Sequence, residues 1–129
     1  MENISIQTSS RIEMIDITRL VNQAIGKTDI QEGICTVYCP HTTAGLAINE
    51  NADPDVVRDI LMKLNRLVPA NESYQHLEGN ADAHIKSTLV GQSVQVIISR
   101  NRLQLGTWQG IYFCEFDGPR RRDIWIQVT

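Results

Sequence analysis

The chain has 129 residues, 42% of them hydrophobic and 21% charged, with a formal net charge of -3. That length supports a single domain, taken as residues 1–129, with a hydrophobic core of its own, and the composition excludes a disordered polymer. The mild negative charge gives no electrostatic footprint for nucleic acid or an anionic membrane, so neither is expected as a partner. No apolar run approaches the ~20 residues of a membrane span, and MENISIQTSS is not a charged-then-apolar export signal. Three cysteines (Cys35, Cys39, Cys114) cannot all pair within one chain. A reducing cytoplasm is the expected location.

In chain order, Ile4 and Ile6 alternate with polar neighbours, as do Ile12, Met14 and Asp16, which predicts two short strands. Leu20, Val21, Ala24 and Ile25 recur at helical spacing between Thr18 and Ile25, and Gly26 offers a stop. ICTVYC then reads as a strand with Cys35, Val37 and Cys39 on one face and Ile34, Thr36 and Tyr38 on the other. Pro40 should end its ladder before His41. A strand GLAIN follows.

The next helix has the fullest set of start signals: Asp53 as N-cap, Pro54 in the first turn and Asp55 complementing the helix dipole. Val56, Val57, Ile60, Leu61, Leu64, Leu67 and Val68 form its apolar stripe, which ends before Pro69. Another helix runs from an Asn80 cap to Val90, with Ala81, Ile85 and Leu89 expected to face inward and Gly91 at the stop. SVQVIIS, RLQLG, GIYFCEF and DIWIQV complete a β-rich end, separated by turn signals at Asn101 and Asp117-Gly118-Pro119. The order predicts an α+β domain, a mainly antiparallel sheet with helices packed on one face.

His41, His76 and His84 are the whole imidazole supply. Three neutral imidazoles from separate segments can hold a divalent ion and leave a fourth position open. Dispersed surface or capping histidines would read the same way, because no compact pair such as HExxH is present. Asp82, Glu78 or Glu50 could orient a ligand imidazole or serve as a base. Cys35 and Cys39 lie roughly 13 Å apart along a strand, too far to share zinc at ~2.3 Å per ligand, and read as core residues. An anion site is a second reading. Thr42 and Thr43 offer hydroxyls, and one arginine of GPRRR, taken as Arg120, offers a guanidinium fork. In LGTWQG, Trp108 reads as core packing or a pocket wall, and Thr107 and Gln109, flanked by Gly106 and Gly110, either bring backbone close to a ligand or form a bulge.

HTTAGLAINENADPDV, HLEGNADAHIKSTLVG and RLQLGTWQGIYFCEFDGPRRR together resemble the signature regions of the YjbQ-like family, also called the secondary thiamine-phosphate synthase family. The similarity runs over nearly the whole chain in order and spacing. It implies a compact α+β fold, a homotrimer and a pocket built around His41, His76 and His84 as metal or substrate ligands. Asp82, Asn80 and Glu115 would stand around them. It also implies a secondary ability to make thiamine phosphate by joining a pyrimidine pyrophosphate to a thiazole phosphate.

On this reading the protein is a small-molecule enzyme whose partner is a phosphorylated compound. Asp82, Glu50 and Glu115 are the candidate catalytic carboxylates. Thr42, Thr43, Asn80, Gln109 and Arg120 are the substrate-binding candidates. Histidine donors fit zinc better than magnesium, and no organic cofactor is expected. A non-catalytic trimeric metal- or anion-binding module and a metal-dependent hydrolase are the alternatives.

Overall fold

The computed structural model describes residues 1–129. Its elements are β1 (Glu2–Gln7), β2 (Glu13–Asp16), α1 (Thr18–Gly26), β3 (Glu32–Tyr38), β4 (Ala44–Glu50) and α2 (Pro54–Leu67). They continue with α3 (Ala81–Val90), β5 (Ser93–Ser99), β6 (Arg102–Leu103), β7 (Gln109–Glu115) and β8 (Arg121–Val128). The strands divide between a five-stranded sheet, ordered β1-β8-β3-β5-β6, and a three-stranded sheet, ordered β2-β7-β4. Every pairing is antiparallel. The α+β class is as the sequence predicts, with the strands split into two layers.

The alternation of the strands explains the layering. Cys35 and Val37 of β3, Val96 and Ile98 of β5, and Ile124 and Ile126 of β8 face the same core as Leu46 of β4 and Phe113 of β7. Helix α1 contributes Val21, Ala24 and Ile25 to it. On the other side of the small sheet, Tyr112, Cys114 and Phe116 meet Ala83 of α3, with Val57 and Leu64 of α2 partly buried beside them. Strand β7 is therefore covered on both faces, which is why IYFCEF reads as an almost unbroken apolar run.

Two helices sit differently from expectation. Helix α2 begins where Asp53 accepts a hydrogen bond from the Asp55 N–H at 2.9 Å, as its signals predict. Yet none of its residues is fully buried, and Leu67 is 64% exposed. Helix α3 is turned relative to the expected face. Asp82, Ala83, Lys86 and Ser87 are its buried residues, while Ile85 and Leu89 are exposed.

The cause is close packing on β4. A Cβ placed on Gly45 would lie 2.6 Å from the Gly91 carbonyl oxygen, and Ser87 Oγ donates to the Ala44 carbonyl at 2.6 Å. Val90 also packs there, its Cγ1 3.1 Å from that Cβ, while Ile85 and Leu89 turn outward. Asn80 occupies the N-cap position without a capping side chain. Its Nδ2 donates instead to Asp117 Oδ2 at 2.8 Å.

Candidate functional site

A cavity of about 580 Å³ lies where β3 runs out, between the end of that strand and helix α3. Strand β3 pairs with β8 as far as Tyr38↔Trp125. Continued two rungs, that register would put Pro40 opposite Asp123, but proline has no N–H to give. The His41 side chain stands in for the missing strand. Its Nε2 accepts the Asp123 N–H at 2.9 Å and lies 3.2 Å from the Asp123 carbonyl oxygen. Burial, and then the positive charge of Arg122, hold the His41 pKa below the ordinary histidine value.

His41 and Thr42 line one side of this cavity, and His84, Ser87 and Thr88 of α3 line another. Tyr38 and Trp125, stacked with ring centroids 5.8 Å apart, form an aromatic edge. Gln92 and the buried Cys39 complete the lining, and burial pushes the Cys39 thiol up to about 11, so it is no nucleophile at neutral pH. No lysine, arginine, aspartate or glutamate is among the lining residues.

His84 also borders a second hollow beside His76, Tyr74 and Ile85. The His76 and His84 rings meet edge to face, with centroids 5.1 Å apart. Two imidazoles bound at ~2.1 Å to one tetrahedral ion would have centroids about 5 Å apart, so the pair has the spacing of two zinc ligands. Glu78 lies 3.7 Å from His76 Nε2 and could orient that ring. Within one chain, no group of three or more His, Cys, Asp or Glu side chains is gathered as for a metal ion. The expected convergence of three histidines is thus met as a pair, His76 with His84, and a cavity that His84 shares with His41.

The carboxylates named from the sequence do not line either hollow. Asp82 is fully buried, with Oδ1 receiving Arg11 at 3.0 Å and Oδ2 receiving Lys86 at 3.0 Å. Lys86 also donates to Asn65 at 2.8 Å. Burial alone would raise the Asp82 pKa, but hydrogen bonds and charge from Lys86 and Arg11 hold it below the usual value. A carboxylate so engaged has no free lone pair directed at a substrate. Its geometry is that of a helix anchor, not a base.

Glu115 is likewise buried, between the two sheets. It accepts from Arg122 through both oxygens, from Thr8 Oγ1 at 2.8 Å and from the Asp117 N–H at 3.1 Å. Burial would raise its pKa, but Arg122, the Asp117 N–H and Thr8 together lower it. Arg122 also holds Thr43 Oγ1 at 2.9 Å, which turns Thr43 into the interior while Thr42 stays at the cavity. Arg120, the guanidinium chosen from the sequence, is exposed and pairs with Asp117 at 3.1 Å. Asn80 is beside that pair, away from the cavity lining.

Glu50 and Gln109 face each other at the far end of β4 and β7, whereas Ala44, next to the cavity, pairs with Glu115. Six strand steps separate the two ends, about 20 Å, so one chain does not bring Glu50 and Gln109 to His41. The Gln109 side chain accepts the Gly106 N–H at 2.8 Å and closes its own loop.

Sequence reasoning missed Tyr38, Trp125, Ser87, Thr88 and Gln92. The alternation of DIWIQV carried a usable signal for Trp125: with Ile124 and Ile126 inward, Trp125 must face out. The same alternation puts Arg122 inside and Arg121 outside.

Residues 2–129 match the family model described as UPF0047 protein YjbQ-like. The chain is 53% identical over 129 residues to UPF0047 protein YugU of Bacillus subtilis, covering 99% of this chain and 98% of that one. It is 53% identical over 123 residues to a UPF0047 protein of Methanocaldococcus jannaschii, covering 95% and 89% of the two chains. A crystal structure of a YjbQ/UPF0047 family protein from Clostridium acetobutylicum superposes with a TM-score of 0.98 at 51% identity, over 100% of both chains. A YbjQ-like protein of unknown function from Sulfolobus solfataricus gives a TM-score of 0.94 at 33% identity, over 98% of this chain and 94% of that one.

Proposed function

The chain belongs to the YjbQ-like UPF0047 family, and from the geometry around α3 we propose that it is an enzyme acting on a small phosphorylated molecule with the help of a divalent ion held by His76 and His84. The observation that carries this reading is the position of His84, which pairs with His76 at a ligand-like spacing and borders the same cavity as His41. Imidazole donors favour zinc over magnesium. The cavity lining has no permanent cation, so a phosphoryl group entering it needs positive charge from elsewhere. A bound divalent ion supplies that charge and polarises a phosphoryl oxygen or a water molecule.

The chain's own groups supply recognition. The Tyr38–Trp125 stack offers a face for a planar ring. The Thr42 hydroxyl and the His41 ring offer hydrogen bonds at its edge. These features fit thiamine-phosphate formation, in which a pyrimidine pyrophosphate and a thiazole phosphate combine and pyrophosphate leaves.

In this reading the protein works as a cytoplasmic homotrimer. Its buried cysteines are free thiols, as a reducing compartment keeps them. The exposed Ile85 and Leu89 of α3 and the half-covered stripe of α2 supply apolar surface for assembly.

Zinc binding by the apo-protein, followed by assay of the reconstituted protein with the two thiamine precursors, tests the proposal. Turnover that requires zinc and is lost in His84→Ala supports it. Tight zinc binding without product would leave a non-catalytic binding module in its place.

A further inference from the structure

The reading above gives the His41 ring a hydrogen bond to the ligand without saying from which nitrogen or to what, and its geometry restricts both. A backbone N–H can only donate, and the Asp123 N–H reaches His41 Nε2 at 2.9 Å. The same Nε2 lies 3.2 Å from the Asp123 carbonyl oxygen, a contact that would need a proton on that nitrogen. The N–H contact is the shorter and its donor has no alternative role, which assigns Nε2 as the bare nitrogen and the proton to Nδ1. Nδ1 has no protein partner, and Asn80 Oδ1 is the single side-chain atom that is both buried and unpaired, so Nδ1 is not sealed away from solvent. His41 lines the cavity. It therefore offers an N–H there, while the lone pair a metal would need is already engaged with β8.

We propose that His41 is a fixed hydrogen-bond donor, through Nδ1–H, to a phosphoryl oxygen of the bound ligand, and that it is not a metal ligand. This rests on the proposed phosphorylated substrate but concerns a different residue and a different bond from the His76–His84 ion site. The two histidines of the cavity then have separate work. His84 serves the ion, and His41 serves the substrate oxygen beside the Thr42 hydroxyl. A neutral N–H held by the backbone stabilises charge that grows on an oxygen without giving up its proton. Its lowered basicity, from burial and Arg122, agrees with that use.

The experiment is nitrogen-15 NMR of the imidazoles of the whole protein near neutral pH, where long-range proton–nitrogen correlations separate a bare nitrogen from a protonated one. His41 is expected to show a bare Nε2 and a protonated Nδ1. Zinc added to one equivalent should move the ring nitrogens of His76 and His84 and leave the His41 tautomer unchanged. Inorganic phosphate titrated into the zinc-loaded protein should then move the His41 Nδ1–H resonance. A proton on Nε2, direct coordination of zinc by His41, or no response of Nδ1–H to phosphate overturns the assignment. If zinc moves no histidine while His41 keeps its Nδ1–H form and answers phosphate, the ion site fails and this inference stands. In His41→Phe, which keeps the ring volume, zinc affinity should stay within threefold of the parent. A loss of about tenfold in a folded His41→Phe, the size expected for removing a ligand or its support, counts against the proposal.

Discussion

The inner and outer faces of α3 carry the same kinds of residue to opposite ends. Inward, Asp82 and Lys86 are fully buried, and Arg11 and Asn65 complete their bonding. Toward the cavity, His84 and Thr88 remain open to whatever enters. Four residues of one motif, Asn80, Asp82, His84 and Lys86, thus divide between holding the helix and serving the site. Engagement by protein partners separates Asp82 and Lys86 from His84 better than residue type does, while Asn80 is engaged only through Nδ2.

Removing one member of a saturated group should produce the largest effect. Glu115→Ala leaves Arg122 buried without its counter-charge and is expected to cost about 3–5 kcal/mol, read from urea unfolding. A loss below about 1 kcal/mol would mean that Arg122 reaches solvent or another anion, and the contrast between saturated and open groups would collapse at the sheet interface. Asp82→Asn removes the counter-charge of the fully buried Lys86, but it keeps the shape, Asn65 still accepts from Lys86 and Arg11 is partly exposed, so a loss of about 3 kcal/mol, at the lower end of that range, is expected.

Acid titration sharpens the same contrast. Asp82 and Glu115 both have folded pKa values below their ordinary 3.8 and 4.5. Each therefore contributes stability that is complete above the ordinary value and is lost as pH falls through the folded one. Because His41 is held below the ordinary 6.5, the urea midpoint should first decline modestly as pH falls through that value. The larger drop should come below the ordinary carboxyl range. The drop should be shallower in Asp82→Asn than in the parent. A midpoint whose whole decline is complete above the ordinary carboxyl range, or an early decline that persists in His41→Phe, would break this division between histidine and carboxylates.

On the open face the expected effects on folding are small. His84→Ala should change stability by less than about 0.5 kcal/mol, because its ring bonds to no protein group, while zinc affinity falls about tenfold or more. Leu89→Ser, at a residue 63% exposed in one chain, should likewise stay within about 0.5 kcal/mol for the isolated chain. A loss of core size there would reveal that the residue is covered in solution, and sedimentation of the variant would show whether another copy covers it.

The strands were largely legible because alternation is local: Cys35 and Val37 inward against Ile34 and Tyr38 outward is a statement about one segment. The orientation of α3 was not. Ile85 and Leu89 suggested an inward face, but contacts with β4, distant in sequence, fix the helix otherwise: Gly45 lies against Val90 and Gly91, Ser87 bonds the Ala44 carbonyl, and Asp82, Ala83, Lys86 and Ser87 are the buried residues. Asn80 was placed correctly as a cap position, while its side-chain partner Asp117 comes from a segment 37 residues away. For the candidate site, the sequence named the histidines without their grouping. Alternation along β8 marks Arg122 as inward, but not that Glu115 and Thr43 engage it there and leave the cavity lining without an arginine. Glu50 and Gln109 illustrate the opposite error: both lie in familiar motifs, yet the length of β4 carries them away from His41.

The rung that Pro40 removes has a thermodynamic consequence for recognition. A histidine on a mobile loop would have to give up rotamer freedom when a ligand arrives, at a cost of about 0.5–1.5 kcal/mol for an immobilised side chain. The His41 ring is already docked on the Asp123 N–H before any ligand is present. Much of its ordering entropy has thus been lost during folding, where the cooperativity of the whole sheet absorbs it. Affinity gained through this ring is preorganised, and it follows from a strand that stops two residues before a proline.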